Sequence, residues 1–137
     1  AAAEVPSITH LPPLPHHRAL ALFSAADVSI VSFADRPVLA TNSPGKLFDS
    51  LAVGTPVVVT NPGWTAGMVE EEGCGWAVPA ENPHALRHML LTLHDSPAIR
   101  EDAARKAATM ARRSFRRSSA TAAIEDILVD VINRNGS

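Results

Sequence analysis

Ser43-Pro44-Gly45-Lys46-Leu47-Phe48-Asp49-Ser50-Leu51-Ala52-Val53-Gly54-Thr55-Pro56-Val57-Val58-Val59-Thr60 is the stretch that decides the fold. It reads in order as a helix cap, a short helix, a glycine stop and a buried strand. Ser43 is a favoured N-cap type and Pro44 suits the first helical position. Phe48, Leu51 and Ala52 fall on one helical face, which predicts that this face turns to a core. Gly54 supplies the left-handed stop. Val57-Val58-Val59 is apolar without alternation, as in a parallel sheet covered on both faces. The start of the helix presents free N–H groups and the positive end of a dipole, with Lys46 beside it, a suitable place for a phosphate. Asp49, one turn further in, carries a carboxylate able to accept hydrogen bonds from sugar hydroxyls.

Working outward, Val28 to Phe33 is rich in β-branched residues and predicts a strand. His16 to Ala26 before it predicts a helix, with Leu20, Leu22 and Phe23 as its apolar residues. Val5 to Thr9 reads as a short strand, and the proline-rich run from His10 to Pro15 as a rigid loop. Ala34 to Asn42 is an irregular loop. Beyond Thr60, Asn61-Pro62-Gly63-Trp64 is a turn, Thr65 caps a helix to Glu72, and Gly73 ends it. Gly75 to Val78 is a last strand. Asn82-Pro83 opens a helix carrying Leu86, Met89, Leu90 and Leu93 at helical spacing, and Ser96-Pro97 opens another, to about Ser114. A final helix, from about Ser118 to Asn133, has Ile124, Ile127, Leu128, Val131 and Ile132 as its apolar stripe. Strands alternating with helices predict an α/β fold with a parallel sheet, and ligands in such folds bind beyond the carboxyl ends of the strands. His10 to Leu14, Phe33 to Lys46 and Asn61 to Gly67 converge there.

The chain has 137 residues, 46% hydrophobic, enough for one domain with a modest core. A formal net charge of -2 argues against a general nucleic-acid binder. One cysteine, Cys74, excludes an internal disulfide and a cysteine-cluster metal site, and its place beside a strand predicts a buried, inert thiol. His84 and His88 share a helix face but lack a third ligand, so no metal is expected. Ser24, Ser29 and Ser32 lack the glycine frame of a hydrolase elbow. Trp76 reads as core and Glu70 to Glu72 as a solvated face. His10, His16 and His17 lie on the ligand side, where one of them is a candidate contact to a base or phosphate. No run approaches the roughly 20 apolar residues of a membrane span, and the first residues resemble no signal peptide. The expected location is the cytoplasm. Arg112, Arg113, Arg116 and Arg117 form a basic cluster. Its readings are a solvated helix end, peripheral contact with an anionic membrane at its inner face, and contact with another domain.

Leu22-Phe23-Ser24-Ala25-Ala26-Asp27-Val28, Ser43-Pro44-Gly45-Lys46-Leu47-Phe48-Asp49 and Leu51-Ala52-Val53-Gly54-Thr55-Pro56-Val57-Val58, followed by Gly63-Trp64, Val69-Glu70, Gly73, Gly75 and Val78, have a fairly specific order and spacing. The pattern resembles the C-terminal, nucleotide-sugar-binding domain of family 4 glycosyltransferases of the GT-B fold, in particular the subgroup that builds surface polysaccharides. The resemblance implies a Rossmann-like parallel sheet of about four strands flanked by helices, with a helical extension over 114–137. It implies a retaining transferase that moves a sugar from a nucleotide-sugar to a glycan or lipid-linked acceptor, without a cofactor or a metal.

It also implies the donor-side residues. Asp49 takes the place of the second of two family glutamates, the one that holds the donor ribose. Thr41 stands where the first would be. The N–H groups of Ser43 and Gly45, with the Lys46 ammonium, hold the diphosphate. His10 and Leu11 lie on the loop that reads the base. Apart from the resemblance, Trp64 sits after a strand beside Gly63, where little core is available, and reads either as a wall of the donor or acceptor cleft or as a packing residue. Catalytic residues are not assigned. The chain matches part of one C-terminal domain, so the resemblance implies a missing N-terminal Rossmann-like domain and an inactive isolated chain. Central strands of the family sheet, order 3-2-1-4-5-6, are absent, which leaves the Val28–Phe33 strand with an open edge. The expectation is that the Val5–Thr9 strand or a second copy covers it, giving a dimer through the sheet edge. The competing readings are a non-catalytic nucleotide- or ligand-binding module and a fragment of a sugar-nucleotide epimerase.

Overall fold

The computed structural model describes residues 7–60 and 63–135. Helix α1 (His16–Ala25) leads to strand β1 (Ser29–Val31), a 3-10 helix (Pro37–Thr41), α2 (Gly45–Ala52), β2 (Val57–Val59), α3 (Trp64–Glu71), β3 (Gly75–Ala77), α4 (Pro83–Asp95), α5 (Pro97–Ser114) and α6 (Arg117–Asn135). The three strands form one parallel sheet in the order β1-β2-β3, with Val57 opposite both Ser29 and Gly75. Each strand returns to the next through a helix, as a parallel sheet demands.

β2 lies at the centre, and its three valines are fully buried. Alternation sends Val57 and Val59 to one face and Val58 to the other. The first face meets Leu47 and Leu51 of α2, Val69 of α3 and Ala107, Met110 and Ala111 of α5. The second meets Leu93 of α4, with Leu86, Met89 and Trp76 packed around it. Small residues let α5 approach α2 closely, and a Cβ on Gly54 would stand 3.5 Å from that of Ala108. Gly54 has φ +81° and Gly73 φ +62°, so both expected stops take the left-handed conformation. Asn82 caps α4 by accepting from the Ala85 N–H at 2.9 Å. The Arg100 guanidinium donates to the carbonyls of Leu93 and His94 at the other end of α4.

Several expectations change. The sheet has three strands where about four were expected. Ser7 to Thr9 form a turn and coil, and Ile8 is exposed; Val5 and Pro6 lie outside the described residues. Pro6 falls inside the expected strand and has no N–H to give a ladder. The expected covering strand for β1 is therefore not formed among the described residues, and Ile30, on β1, is 39% exposed.

The cap of α2 is Pro44, with φ −72° and ψ 123°, and no side chain caps the helix. Ser43 stands one place too early, because the proline ring is buried in extended conformation ahead of the first turn. The buried face of α2 is Leu47, Ser50 and Leu51, whereas Phe48 is half-buried and Ala52 exposed. This rotation puts α2 between the sheet and α5 rather than onto the sheet alone. Thr65 is not a cap. Gly63 holds that position, and Thr65 is buried inside the first turn of α3.

Candidate functional site

α2 and α3 each follow a strand of the parallel sheet, so both begin at its carboxyl end. α1 joins them there, because His16, its first residue, has Nε2 3.1 Å from Asp49 Oδ1 on α2. This end of the sheet therefore gathers the N-terminal turns of helices, whose unpaired N–H groups and dipoles favour anions.

At the start of α2 the backbone N–H groups of Gly45 and Lys46 have no partner among the described residues. A Cβ built on Gly45 would meet nothing within 4 Å, so the approach to this turn is open. Lys46 is exposed, with Nζ 5.8 Å from the centre of the Phe33 ring and no acidic partner among the described residues. The ring favours a cation over its face, within the usual range of such contacts. Asp49 is partly shielded and uses one carboxylate oxygen on His16.

Across from α2, Trp64 is 42% exposed and its Nε1 donates to the Asn42 carbonyl at 3.2 Å. Its ring stacks on Phe48 with centroids 6.2 Å apart, and Phe48 meets Phe115 edge-on at 4.8 Å. Gly63 has φ +121°, and a Cβ there would stand 2.3 Å from the Ala40 carbonyl oxygen. Only glycine admits this approach, which brings the 3-10 helix onto the first turn of α3. Thr41 ends that 3-10 helix, its hydroxyl donating to the Val38 carbonyl. The Thr65 hydroxyl, buried at the base of α3, has no hydrogen-bond partner among the described residues.

Of the residues the sequence suggested, Lys46 and Asp49 share α2, while Gly63 and Trp64 meet the segment that carries Thr41. Ser43 is exposed and caps nothing. His10 and Leu11 lie exposed in coil ahead of α1. The turn residues Asn61 and Pro62 lie outside the described residues. Asn42, Phe48 and Phe115 were missed. For the two phenylalanines the signal was the scarcity of aromatics, 4% of the chain; Asn42 acts through its backbone carbonyl, which no residue type announces.

A cleft of about 490 Å³ opens at the other end of the sheet, lined by Glu70, Gly73, Trp76, Ile99, Asp102 and Lys106. The C-terminus of α3 and the carboxylates of Glu70 and Asp102 point there, so it suits an anion poorly. Lys106 and Arg105 bond the Asp102 carboxyl and hold it below the usual carboxylate range. Cys74 is fully buried, and desolvation pushes its thiol up to about 11, as an inert cysteine requires. Of the basic cluster, Arg113 is tied to Glu72 at 2.6 Å.

Residues 2–96 match the family described as "Glycosyl transferases group 1". The chain belongs to that family. A D-inositol 3-phosphate glycosyltransferase of Paenarthrobacter aurescens (strain TC1) is 32% identical over 105 residues, which cover 76% of this chain and 24% of the relative. The crystal structure of HepE from Anabaena, in complex with UDP, superposes with a TM-score of 0.63 at 18% identity, over 80% of this chain and 29% of HepE. That likeness is one of fold, and it agrees with a Rossmann-like α/β arrangement. The chain thus spans about a quarter of the length of the curated relative it matches. No helix among the described residues is long and apolar enough to cross a membrane.

Proposed function

We propose that this group 1 glycosyltransferase chain is the donor-binding portion of a retaining enzyme, and that it holds a nucleotide-sugar at the carboxyl end of its sheet. The observation that carries this reading is the start of α2. N–H groups and a Lys46 ammonium that have no partner among the described residues, and a carboxylate one turn along, stand together on an open approach. The N–H groups of Gly45 and Lys46 and the Lys46 ammonium would hold the diphosphate, and Asp49 the ribose. Trp64, fixed through Asn42 and Phe48, would wall the sugar side, and the His10–Leu11 coil would face the base.

The chemistry at this end is stabilisation of a departing diphosphate. A fixed ammonium and helix N–H groups act where negative charge grows as the glycosidic bond breaks. Transfer also needs an acceptor held against the anomeric carbon on the face from which the diphosphate departs, a task this reading gives to a further domain. The isolated chain therefore binds donor without turning it over. The reading takes a glycan or lipid-linked acceptor, no metal, and a further Rossmann-like domain.

Calorimetric titration of the chain with UDP, GDP, ADP and TDP tests the reading. One of them is expected to bind, and Asp49→Ala to weaken it by about 1.5–3 kcal/mol through loss of a charged hydrogen-bond acceptor. Lys46→Ala should weaken binding of the same nucleotide and of inorganic pyrophosphate alike. Binding unchanged in both variants, or no binding by the parent chain, would end it.

A further inference from the structure

We propose that His16 is a positioning residue for the ribose-reading carboxylate, so that diol recognition belongs to the pair His16–Asp49 and not to Asp49 alone. This rests on the nucleotide site proposed above. His16 Nε2 lies 3.1 Å from Asp49 Oδ1, a contact that joins the first residue of α1 to α2 across 33 positions of sequence. An ionised carboxylate only accepts, so the shared proton sits on Nε2 and the imidazole is the donor. Oδ1 is thereby engaged, while Oδ2 has no partner among the described residues and is left for a ligand hydroxyl.

The bond has little to do with holding the fold. The His16 side chain is 70% exposed and that of Asp49 33% exposed, and α1 buries no residue of its own. What the contact does is fix a short side chain on an open helix surface. A free aspartate samples several rotamers and must be ordered when a ligand arrives. One held in advance avoids most of that loss, worth roughly three- to tenfold in affinity. An aspartate is also one methylene shorter than a glutamate, so its reach depends more on the direction in which it is held. The geometry assigns that direction to an imidazole from a different helix.

The test compares UDP, GDP and ADP with their 2′,3′-dideoxy counterparts, and with inorganic pyrophosphate, by calorimetry on the 137-residue chain. The parent should favour the ribonucleotide that it binds. His16→Ala should lose roughly three- to tenfold of that preference with pyrophosphate binding unchanged. His16→Gln, which keeps a donor at a similar reach, should restore the preference. In an Asp49→Ala background, His16→Ala should have no further effect. A His16→Ala chain that keeps the full ribose preference, while Asp49→Ala loses it, overturns the role of His16 and leaves the nucleotide site standing. If Asp49→Ala keeps the preference, or no diphosphate binds the parent, the nucleotide site itself falls and this inference with it.

Discussion

Thr65 is the residue where local pattern and packing part company most clearly. Its type and its place after a turn suit a cap, yet Gly63 takes that role and leaves the hydroxyl buried without a partner among the described residues. An unpaired buried hydroxyl is a cost, and valine fills nearly the same volume without it. Thr65→Val is expected to raise the unfolding free energy by about 1 kcal/mol in urea titration. A lower midpoint would mean that the hydroxyl is paired. Cys74 makes the opposite case, since its inertness follows from a buried place beside β3. Its thiol is raised from 9.0 to about 11 in the folded chain, so folding favours the neutral form. The unfolded chain loses that proton first. The stabilisation is therefore complete below about pH 9 and fades as pH rises towards about 11. Unfolding curves should show the parent losing about 2–3 kcal/mol over that window relative to Cys74→Ala.

At the scale of the element, α2 was legible in position and length but not in rotation. The glycine stop and the valine strand are local signals, and both stand where they were read. The buried face is a tertiary matter, because α5 packs beside α2 through its alanines and draws Leu47 inward while Ala52 turns out. Leu47→Ala is expected to cost about 2–5 kcal/mol, measured by thermal and urea unfolding. Ala52→Lys should change stability by less than about 0.5 kcal/mol. Equal effects at the two positions would mean that the helix is rotated from the orientation described. The 3-10 helix was hidden for a related reason. Nothing in Ala34 to Asn42 has a helical period, and the segment is held by the approach of Gly63 to Ala40 and by the Trp64–Asn42 bond.

For the whole molecule, the core is complete on both sides of β2 and incomplete at two places. Ile30 lies on an edge strand. The stripe of α6 leaves Ile124, Ile127, Leu128, Val131 and Ile132 between 48% and 69% exposed, and among the described residues α6 makes no substantial packing contact with the other elements. The sequence found that stripe and its period but could not supply a surface to meet it. Ending the chain after Arg116 is expected to change the unfolding free energy by less than about 0.5 kcal/mol and to reduce self-association, read by equilibrium unfolding and sedimentation. A large loss of stability would mean that α6 is part of the core.

What the sequence determined by itself is everything written in short-range chemistry. Gly54 and Gly73 stop helices because they alone adopt the left-handed turn freely, Asn82 caps α4, and an unbroken valine triplet requires cover on both faces. The family pattern from Leu22 to Leu93 is of the same kind. What only the tertiary structure decided is which groups meet across distance: His16 with Asp49, Trp64 with Asn42 and Phe48, Arg113 with Glu72. Those contacts depend on how helices rotate and cross when their side chains interlock, and no residue carries that information alone.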